Sequence, residues 1–419
     1  MNQTGAGGHR MNILFLTLID FRSINENNIY TDLLREFIRD GHSVYAISPV
    51  ERRRRQKTTL IAEPGCQILK LKIGNIQKTN LLEKGLSTLS IEPVFLRGIK
   101  RYFADVRFDL VLYSTPPITL LKVVAYVRRR DQARTYLLLK DIFPQNAVDL
   151  GMLSRTGPKG LLYRYFRRQE KQLYALFDHI GCMSPANVRY LLSHNPQIKP
   201  EIVEVCPNCI TPRTIVRDEA KSRAVKAKYG IPADKVVFVY GGNLGKPQGV
   251  DFLMRCLAGS GVNPQAHFLI VGSGTEYGRL QAFLQETPGI SAQLFASLPR
   301  DDYDNLVNSC DVGLIFLDHR FTIPNFPSRI LSYMQASIPV LAATDGNTDI
   351  GGTVVDGEFG FWCASGDLAA FNQAVGRLCA ADLRSRLGAN ARRYLEDHYT
   401  ARHAYQIIRN HFPSNQPPV

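Results

Sequence analysis

A loop near the middle of the chain combines the residue types that hold a phosphate group. The stretch VVFVYGGNLGKPQGVDFL (236–253) places Gly242, Asn243, Lys246 and Gln248 between an apolar run and an amphipathic one. Glycine lets the backbone approach an anion, the amides of a following helix point at it, and lysine adds positive charge. The spacing fits neither the Walker loop nor the dinucleotide fingerprint. It predicts an anion site of another type, with a tight structural turn as the alternative.

Two later loops repeat this arrangement. HFLIVGSGTEYGRL (267–280) places Gly272 and Gly274 after an apolar run, and FTIPNFPSRILSYM (321–334) precedes a predicted helix with Phe326, Pro327, Ser328 and Arg329. Ser328 is predicted to cap that helix, whose free amides also suit an anion. Arg329 either reaches the same anion or projects into solvent. Three such loops in one region indicate a site for a nucleotide diphosphate.

The elements around these loops predict an α/β fold that occurs twice. Short runs rich in Val, Ile, Leu and Phe alternate with amphipathic stretches of helical period, and each run is a predicted strand. The runs are NILFLTL, SVYAISP, DLVLYST, TYLLLKD, HIGCMSP and IVEVCPN in the first half, and VVFVYGG, HFLIVGSG, DVGLIFL and PVLAAT in the second. Strands this uniformly apolar are typical of parallel sheets covered on both faces by helices. In doubly wound sheets, ligands bind beyond the carboxyl ends of the strands. We therefore expect two Rossmann-like domains that face each other across a cleft.

The expected boundaries follow from composition. Residues 1–10 are predicted to be a disordered extension, 11–212 the first domain, 213–385 the second, 386–412 C-terminal helices and 413–419 a tail. The polar stretch 207–235 is predicted to be a linker and an entry helix, with the domain boundary near Pro212 to Gly230. The C-terminal helix is expected to cross back to the first domain.

Charge is distributed unevenly. Residues 1–229 have 37 Lys+Arg against 20 Asp+Glu, a balance of +17; since the whole chain has 51 against 37, residues 230–419 have 14 against 17, a balance of −3. A cationic first half indicates a polyanion or an anionic membrane surface as partner. ERRRRQK (51–57) and RRRDQAR (128–134) concentrate this charge, and solvated surface is the alternative explanation. The stretch 81–103 is predicted either to lie on a bilayer or to pack as an internal helix.

Cysteine usage and hydropathy indicate in which cellular compartment the protein is expected. Eight scattered cysteines without a secretory signal favour reduced thiols in a cytoplasm. Cys206 and Cys209 form a C-x-x-C, but the second pair or nearby histidines of a zinc site are missing from the sequence. The longest apolar stretch, 108–127, is interrupted by Pro116, Pro117 and Lys122, so it predicts a strand, a turn and a helix.

These motifs, in this order, resemble the glycosyltransferase B (GT-B) fold, and within it the retaining transferases of family four, also called glycosyltransferase group 1. YGGNLGKPQGVDFL is similar to the family's glycine and lysine loop, LIVGSGTEYGRL to its second glycine loop, and SCDVGLIFL to its next strand. FPSRILSYMQASIPVLA and LKDIFPQNAVDLG resemble segments of a subgroup related to bacterial N-acetyl-L-fucosamine transferases. The resemblance covers the chain from Met11 to about His411.

The resemblance implies a nucleotide diphosphate sugar, UDP-linked, on the second domain, with its diphosphate near Gly242, Asn243 and Lys246 and on the amides around Ser328. It also implies transfer with retention and without metal or other cofactor, since positive groups stabilise the leaving diphosphate. The acceptor would be lipid-linked or a polysaccharide, at the cytoplasmic face of the membrane. N-acetylated deoxysugars are candidate donor sugars.

Departures from the family concern the donor site. Two family glutamates correspond to Pro324 and Ser332, and a loop arginine corresponds to Asn243, which leaves Lys246 as the main cation and Arg329 as its helper. Ser332 leaves the usual ribose contact in question.

The first domain offers weaker candidates. A family histidine corresponds to the neighbourhood of Lys140, and the adjacent Asp141 is the predicted acidic group of the cleft, with capping of the next turn as the alternative. The loop Asn25 to Asn27 is a candidate contact for donor or acceptor.

Three other functions are compatible with parts of the pattern. A nucleotide-sugar epimerase or a non-catalytic binder of the same fold would bind the donor but need no lipid acceptor. A nucleic-acid-binding protein would explain the charge, but its aromatic-interleaved basic motifs are missing from the sequence. A periplasmic binding protein would need an export signal.

Overall fold

The computed structural model describes residues 10–75, 81–215 and 218–412, without the side chains of 81–89, 158 and 159. The predicted tail and nine of the ten residues of the predicted N-terminal extension lie outside this range. The strands are β1 Asn12–Leu16, β2 Ser43–Glu51, β3 Thr59–Glu63, β4 Cys66–Ile73, β5 Leu110–Ser114, β6 Arg134–Leu139, β7 His179–Cys182, β8 Val203–Val205, β9 Val236–Asn243, β10 Ala266–Ser273, β11 Ala292–Phe295, β12 Val312–Phe316, β13 Val340–Thr344 and β14 Gly360–Ala364. The helices are α1 Ile29–Arg39, α2 Leu81–Tyr102, α3 Leu121–Asp131, α4 Gln145–Asp149, α5 Gly157–Tyr174, α6 Pro185–His194, α7 Glu219–Lys228, α8 Val250–Ala258, α9 Tyr277–Glu286, α10 Arg300–Val307, α11 Arg329–Gln335, α12 Ile350–Asp356, α13 Leu368–Leu378, α14 Ala381–His398 and α15 Ala401–Asn410.

The chain forms two compact units, each with its own sheet. The first comprises residues 1–148, 153–211 and 401–419, and the second comprises 149–152 and 212–400. The expected α/β class is confirmed: both sheets are parallel except for one antiparallel pair. In the part of the chain that the structure describes, no helix is long and apolar enough to cross a membrane.

The sheet of the first unit has the order β3-β4-β2-β1-β5-β6-β7-β8, and only β3 and β4 pair antiparallel. Alternation along β1 sends Leu14 and Leu16 into the core on one face and Ile13 and Phe15 into the core on the other. Both faces are therefore buried, as the apolar runs predicted. The helix α15 belongs to this unit, where Tyr405 packs edge-on against Phe37 of α1 with ring centroids 4.8 Å apart.

The described part of α2 packs inward. Ile91, Phe95 and Ile99, spaced by four residues, are at most 1% exposed and join the core on one face of the sheet. This spacing places them on one side of the helix. Of the two explanations for residues 81–103, the described side chains support the internal helix.

The sheet of the second unit has the order β11-β10-β9-β12-β13-β14, with all neighbours parallel. Numbered within the unit, this is the 3-2-1-4-5-6 order of a doubly wound Rossmann fold, in which the strand order reverses between β9 and β12. Ligands of such folds bind beyond the carboxyl ends of the strands, near that switch. The loop after β9 is at this position.

Four strands were missing from the prediction. β3, β11 and β14 lie at sheet edges and are only partly buried, and β4 carries lysines within its apolar run. Their side chains lack the continuous apolar character by which the other strands were recognised.

Candidate functional site

The carboxyl end of β9 rests on tyrosines from two distant helices. The Tyr333 hydroxyl of α11 accepts a hydrogen bond from the Gly241 amide at 3.2 Å and donates one to the Leu314 carbonyl at 3.1 Å. A Cβ atom at Gly241 would lie 1.7 Å from the hydroxyl oxygen of Tyr303 in α10. Only glycine therefore fits at this position, because the Tyr303 side chain approaches the backbone closely. The hydrogen bond to Tyr333 holds the strand end in place.

The second glycine loop supports the first through its backbone. The Leu244 amide donates to the Ser273 carbonyl at 2.9 Å, and the Glu276 amide donates to the Leu244 carbonyl at 2.9 Å. A Cβ atom would lie 1.9 Å from the Gly242 carbonyl oxygen if added at Gly272, and 2.3 Å from the Leu244 carbonyl oxygen if added at Gly274. These two glycines, predicted as ligand contacts, are explained by the packing of one loop on the other. The prediction that they also contact a ligand stays a prediction.

The guanidinium of Arg329 lies beside the first loop. Gly242 has φ +131°, a conformation that favours glycine, and a Cβ atom there would lie 3.5 Å from Cζ and Nη2 of Arg329. The guanidinium sits over the ring of Tyr240, 4.5 Å from its centroid, and Nη2 donates to Oε1 of Gln248 at 2.6 Å. Tyr240 also donates toward Gln248, at 3.2 Å. The structure thus brings three predicted site residues together: Gly242, Gln248 and Arg329.

Arg329 is a partly buried cation without an acidic partner among the described residues. Its Nη1 is inaccessible to solvent and has no hydrogen-bond partner among the described residues, and no carboxylate of the described chain forms an ion pair with it. A guanidinium keeps its proton throughout the ordinary pH range, so Arg329 is charged. A desolvated charge without a counter-ion is costly unless an anion completes the site.

The tyrosines around Arg329 are neutral at ordinary pH. Burial raises the pKa of Tyr240, raises that of Tyr303 to about 12, and raises that of Tyr333 well above its usual value. Each hydroxyl keeps its proton and adds no negative charge beside the guanidinium. The site is therefore electropositive.

Lys246 lies in a short 3-10 turn, Lys246–Gln248, which follows the loop. Its side chain is exposed and has neither an ion pair nor a hydrogen bond to another described residue. The next residue after the turn, Gly249, is left-handed with φ +55°, and only then does α8 begin. Gly249 therefore separates the turn that contains Gln248 from the following helix.

The prediction that Ser328 caps α11 through its side chain is also wrong. Ser328 precedes the helix, but its backbone already has helical angles, φ −64° and ψ −15°, and its hydroxyl makes no capping hydrogen bond. A capping side chain needs an extended backbone to reach the amides of the first turn. What Ser328 offers to a ligand is its backbone amide, which has no acceptor within the helix.

The remaining residues of the third loop surround this helix start. Phe326 is buried and packs against Tyr399, with ring centroids 6.0 Å apart, while Pro324 is buried and Pro327 is partly buried. Ser332 follows Arg329 by three residues on α11 and is partly buried. Residues three apart share a helix face, so Ser332 lies on the same side of α11 as Arg329.

Asp141 belongs to the first unit, directly after β6. Asn146 Nδ2 donates to both carboxylate oxygens, at 3.0 and 3.1 Å. Burial raises the pKa of Asp141 to about 6, against the opposing effect of hydrogen bonds from the Ile142 amide and Asn146. These contacts support the capping alternative. The prediction that Asp141 faces a donor stays a prediction.

The neighbouring Lys140 and the C-x-x-C motif are buried in the first unit. Lys140 Nζ donates to the Cys206 carbonyl at 3.5 Å, and burial lowers the pKa of this lysine. Burial also raises the pKa of Cys206 and Cys209, which disfavours the thiolate that redox or metal chemistry needs. Within the described ranges no group of three or more His, Cys, Asp or Glu side chains is arranged to hold a metal ion.

In the loop from Asn25 to Asn27, the Glu26 carboxylate accepts hydrogen bonds from the amides of Arg22 and Ser23 and so closes its own turn. Sequence reasoning missed Tyr240, Tyr303 and Tyr333. Tyr240 lay within the quoted motif but was read as part of an apolar strand, and no spacing links the other two to Gly241.

Comparisons with known proteins agree with this geometry. Residues 221–394 match the family model described as glycosyl transferases group 1, and residues 27–214 match the model described as Glycosyltransferase Family 4. The chain is 25% identical over 348 residues to the probable glycosyltransferase WbjE of Pseudomonas aeruginosa. The aligned region covers 82% of this chain and 84% of that protein.

Two solved structures share the fold. HepE of Anabaena, in complex with UDP and glucose, has a TM-score of 0.68 and 15% identity, covering 96% of this chain and 99% of that one. WaaG, a glycosyltransferase involved in lipopolysaccharide biosynthesis, has a TM-score of 0.61 and 15% identity, covering 94% and 99%. The two doubly wound units are thus those of a GT-B fold. With both halves matched by family models, the chain is a GT-B glycosyltransferase of the group 1 family.

Proposed function

We propose that the protein transfers a sugar from a nucleotide diphosphate donor, UDP-linked, to a lipid-linked or polysaccharide acceptor in cell-surface polysaccharide biosynthesis. The observation that carries this proposal is Arg329, a charged guanidinium that is held beside Gly242 and lacks an acidic partner in the described chain. A diphosphate supplies the missing counter-charge. The complex of HepE with UDP and glucose, on the same fold, supports UDP as the nucleotide.

Charge stabilisation of the leaving group is the chemistry that this site offers. When the bond between sugar and diphosphate breaks, negative charge accumulates on the diphosphate. Arg329 and Lys246 offset that charge, and the Ser328 amide donates to it. Arg329 is preorganised by Tyr240 and Gln248, so it needs no rearrangement during the reaction. We propose transfer with retention of the anomeric configuration and without a metal ion, as the family resemblance implies.

The donor lies, in this proposal, along the loops of the second unit. Gly242 and Asn243 leave room for the diphosphate, Gln248 orients Arg329, and Ser332 on the same face of α11 meets the ribose. Phe326, Pro327, Gly272 and Gly274 form the surrounding wall. Asp141 of the first unit is the candidate acidic group, and its pKa of about 6 would let it exchange a proton near neutral pH.

The acceptor is placed on the cationic first unit, at the inner face of the cell membrane. The balance of +17 over residues 1–229 matches a lipid-linked diphosphate and an anionic surface. WaaG, a glycosyltransferase of the same fold that is involved in lipopolysaccharide biosynthesis, supports a role in polysaccharide biosynthesis. An N-acetylated deoxysugar is one candidate donor sugar.

Calorimetry with UDP and a panel of nucleotide sugars tests the donor site. Lys246→Ala is expected to weaken binding about three- to tenfold, as the loss of one exposed charge near a diphosphate. Lys228→Ala removes an exposed lysine that pairs with Asp302 in the same unit, and it is expected to leave binding unchanged. Absence of binding to every nucleotide, or equal binding by both variants, would contradict the assignment.

Product analysis by mass then tests the reaction. The protein is incubated with the nucleotide sugar that binds and with polyprenyl-diphosphate-linked saccharides. A product heavier than the acceptor by one sugar supports transfer. Because an epimer has the same mass as the donor, the recovered nucleotide sugar is also identified by nuclear magnetic resonance. An isomerised donor without any acceptor product would show an epimerase instead, and an unchanged donor a binding protein.

A further inference from the structure

The N-terminal half of α5 presents apolar side chains to solvent. Leu161 is 65% exposed, Leu162 47% and Tyr165 44%. Tyr165 follows the two leucines by four and three residues, so all three lie on one side of the helix. Among the side chains of the first unit that the structure describes, the other exposed large apolar residues are Ile19 and Leu60, which are distant from each other and from α5 in sequence. A contiguous apolar patch of this kind marks an interaction surface.

The rest of α5 anchors the helix. Leu173 and Tyr174 are buried in the core of the first unit. Glu170 accepts a hydrogen bond from the Tyr174 hydroxyl at 2.7 Å and pairs with Arg167, which donates to the His194 carbonyl at 2.7 Å. The exposed apolar half therefore projects from a helix that is fixed at its other end.

The charges on α5 select the kind of partner. Its sequence, GPKGLLYRYFRRQEKQLY, contains five cations and one acid, Glu170, which is turned inward and paired. Arg164 and Arg168 are exposed next to the apolar side chains, and neither pairs with an acid in the described part of the chain. We name the surface of Leu161, Leu162, Arg164, Tyr165 and Arg168 the α5 patch.

We infer that the α5 patch binds the surface of an anionic lipid bilayer. Leucine and tyrosine enter the boundary between headgroups and acyl chains, and arginines bind the lipid phosphates, as in interfacial amphipathic helices. An acidic partner surface suits the charge balance of this half of the chain. The inference extends the proposed lipid-linked acceptor, but it concerns binding alone and needs no donor sugar.

Two other segments predicted to meet the membrane are less suited. The described apolar residues of α2 lie in the core, and within ERRRRQK the side chains of Arg53 and Arg54 pair with Glu51 and Asp20. Their charge is partly neutralised inside the first unit. The α5 patch combines unpaired charge with exposed apolar area.

Sedimentation of the full chain with vesicles tests this inference. Vesicles of phosphatidylcholine with an equal share of phosphatidylglycerol are expected to bind the protein, and vesicles of phosphatidylcholine alone to bind it far more weakly. Since withdrawing a leucine from an apolar environment changes an equilibrium by about tenfold or more, Leu161→Ser with Leu162→Ser is expected to weaken binding at least tenfold. Arg164→Glu with Arg168→Glu is expected to weaken it similarly at low salt and less at high salt.

Matched controls come from the second unit. Val262→Ser with Val355→Ser removes two exposed apolar side chains, 68% and 52% exposed, and Arg386→Glu with Arg393→Glu reverses two exposed charges. Both are expected to bind vesicles as the unchanged protein does. Transfer to a short-chain, water-soluble acceptor without vesicles is expected to be the same for the α5 variants and the unchanged protein, so a failure of the transferase proposal is seen separately.

Several results would overturn the inference. These are no vesicle binding by the unchanged protein, equal loss in the controls, or a leucine variant that binds fully. A dimer in light scattering that becomes a monomer on Leu161→Ser with Leu162→Ser, with vesicle binding intact, would assign the patch to a second copy of the chain.

Discussion

Replacement of Arg329 by alanine is expected to remove most of the affinity for UDP. The guanidinium has no acidic partner in the described chain, is oriented by Gln248 and Tyr240, and lies beside Gly242. It is therefore already in position before an anion arrives. Binding then costs little side-chain ordering, and the loss on truncation reflects the interaction itself.

The magnitude follows from the charge-assisted bond. A hydrogen bond to a charged group contributes about 1.5–3 kcal/mol, and each 1.4 kcal/mol changes the dissociation constant tenfold, so Arg329→Ala is expected to weaken UDP binding about 10- to 150-fold. Arg329→Lys keeps the charge but loses the planar fork that stacks on Tyr240 and reaches Gln248. It is expected to have an intermediate affinity.

The effect on stability should have the opposite direction. Without ligand, Arg329→Ala removes a partly buried charge that lacks a counter-ion among the described residues, so the melting temperature of the free protein is expected to be unchanged or higher. The rise in melting temperature on adding UDP is expected to shrink, because a weaker ligand stabilises the folded state less. A merely structural arginine would show a lower melting temperature instead.

Calorimetry and thermal denaturation with UDP measure both effects. The control is Arg377→Ala, which removes an exposed arginine of the same unit. Arg377 stacks on Phe361, near the amino-terminal end of β14, with its Cζ 4.1 Å from the ring centroid. It is expected to bind UDP as the unchanged protein does. If Arg329→Ala binds within about threefold of the unchanged protein, or if both variants lose affinity equally, the assignment of Arg329 to the diphosphate is refuted.

Two further predictions concern the supports of the site. Gly272→Ala is expected to lower the melting temperature by several degrees, since its Cβ would lie 1.9 Å from the Gly242 carbonyl oxygen. The control is Gly278→Ala, whose Cβ would have no atom within 4 Å. Equal effects of the two substitutions would contradict the loop packing. The pKa of Asp141 is about 6 in the folded protein, above its ordinary value of 3.8. Between about pH 4 and pH 6 the folded state therefore binds more protons than the unfolded state, and the free energy of unfolding decreases as the pH rises. Urea denaturation should therefore show that Asp141→Asn gains stability relative to the unchanged protein over that pH range. If the difference in stability does not change with pH, or if the exposed control Asp105→Asn shows the same trend, the Asp141 carboxyl is not desolvated.

The strands that could be predicted are those buried on both faces. β1, β5, β9, β10, β12 and β13 appear in the sequence as continuous apolar runs, because the central positions of such strands are buried on both faces of the sheet. The edge strands β3, β11 and β14 face solvent in part, and their polar positions hide the strand. The order in which strands pair depends on the whole sheet. The positions of the strands that were not predicted are therefore known only from the tertiary structure.

The glycines and cations of the site were found by local spacing, since a loop that approaches an anion needs small residues and positive charge within a few positions. The sequence by itself therefore determined the two α/β units, the loops at their strand ends and the cationic first half. Only the tertiary structure decided that Gln248 orients Arg329 from 81 positions away, that Tyr333 holds Gly241 from 92 positions away, and that Ser328 does not cap its helix. Such contacts depend on which helices pack beneath a strand end, and no local pattern specifies that packing. The exposure of Leu161 and Leu162 is of the same kind, because an apolar residue in a helix is buried or exposed according to what the rest of the chain places against it.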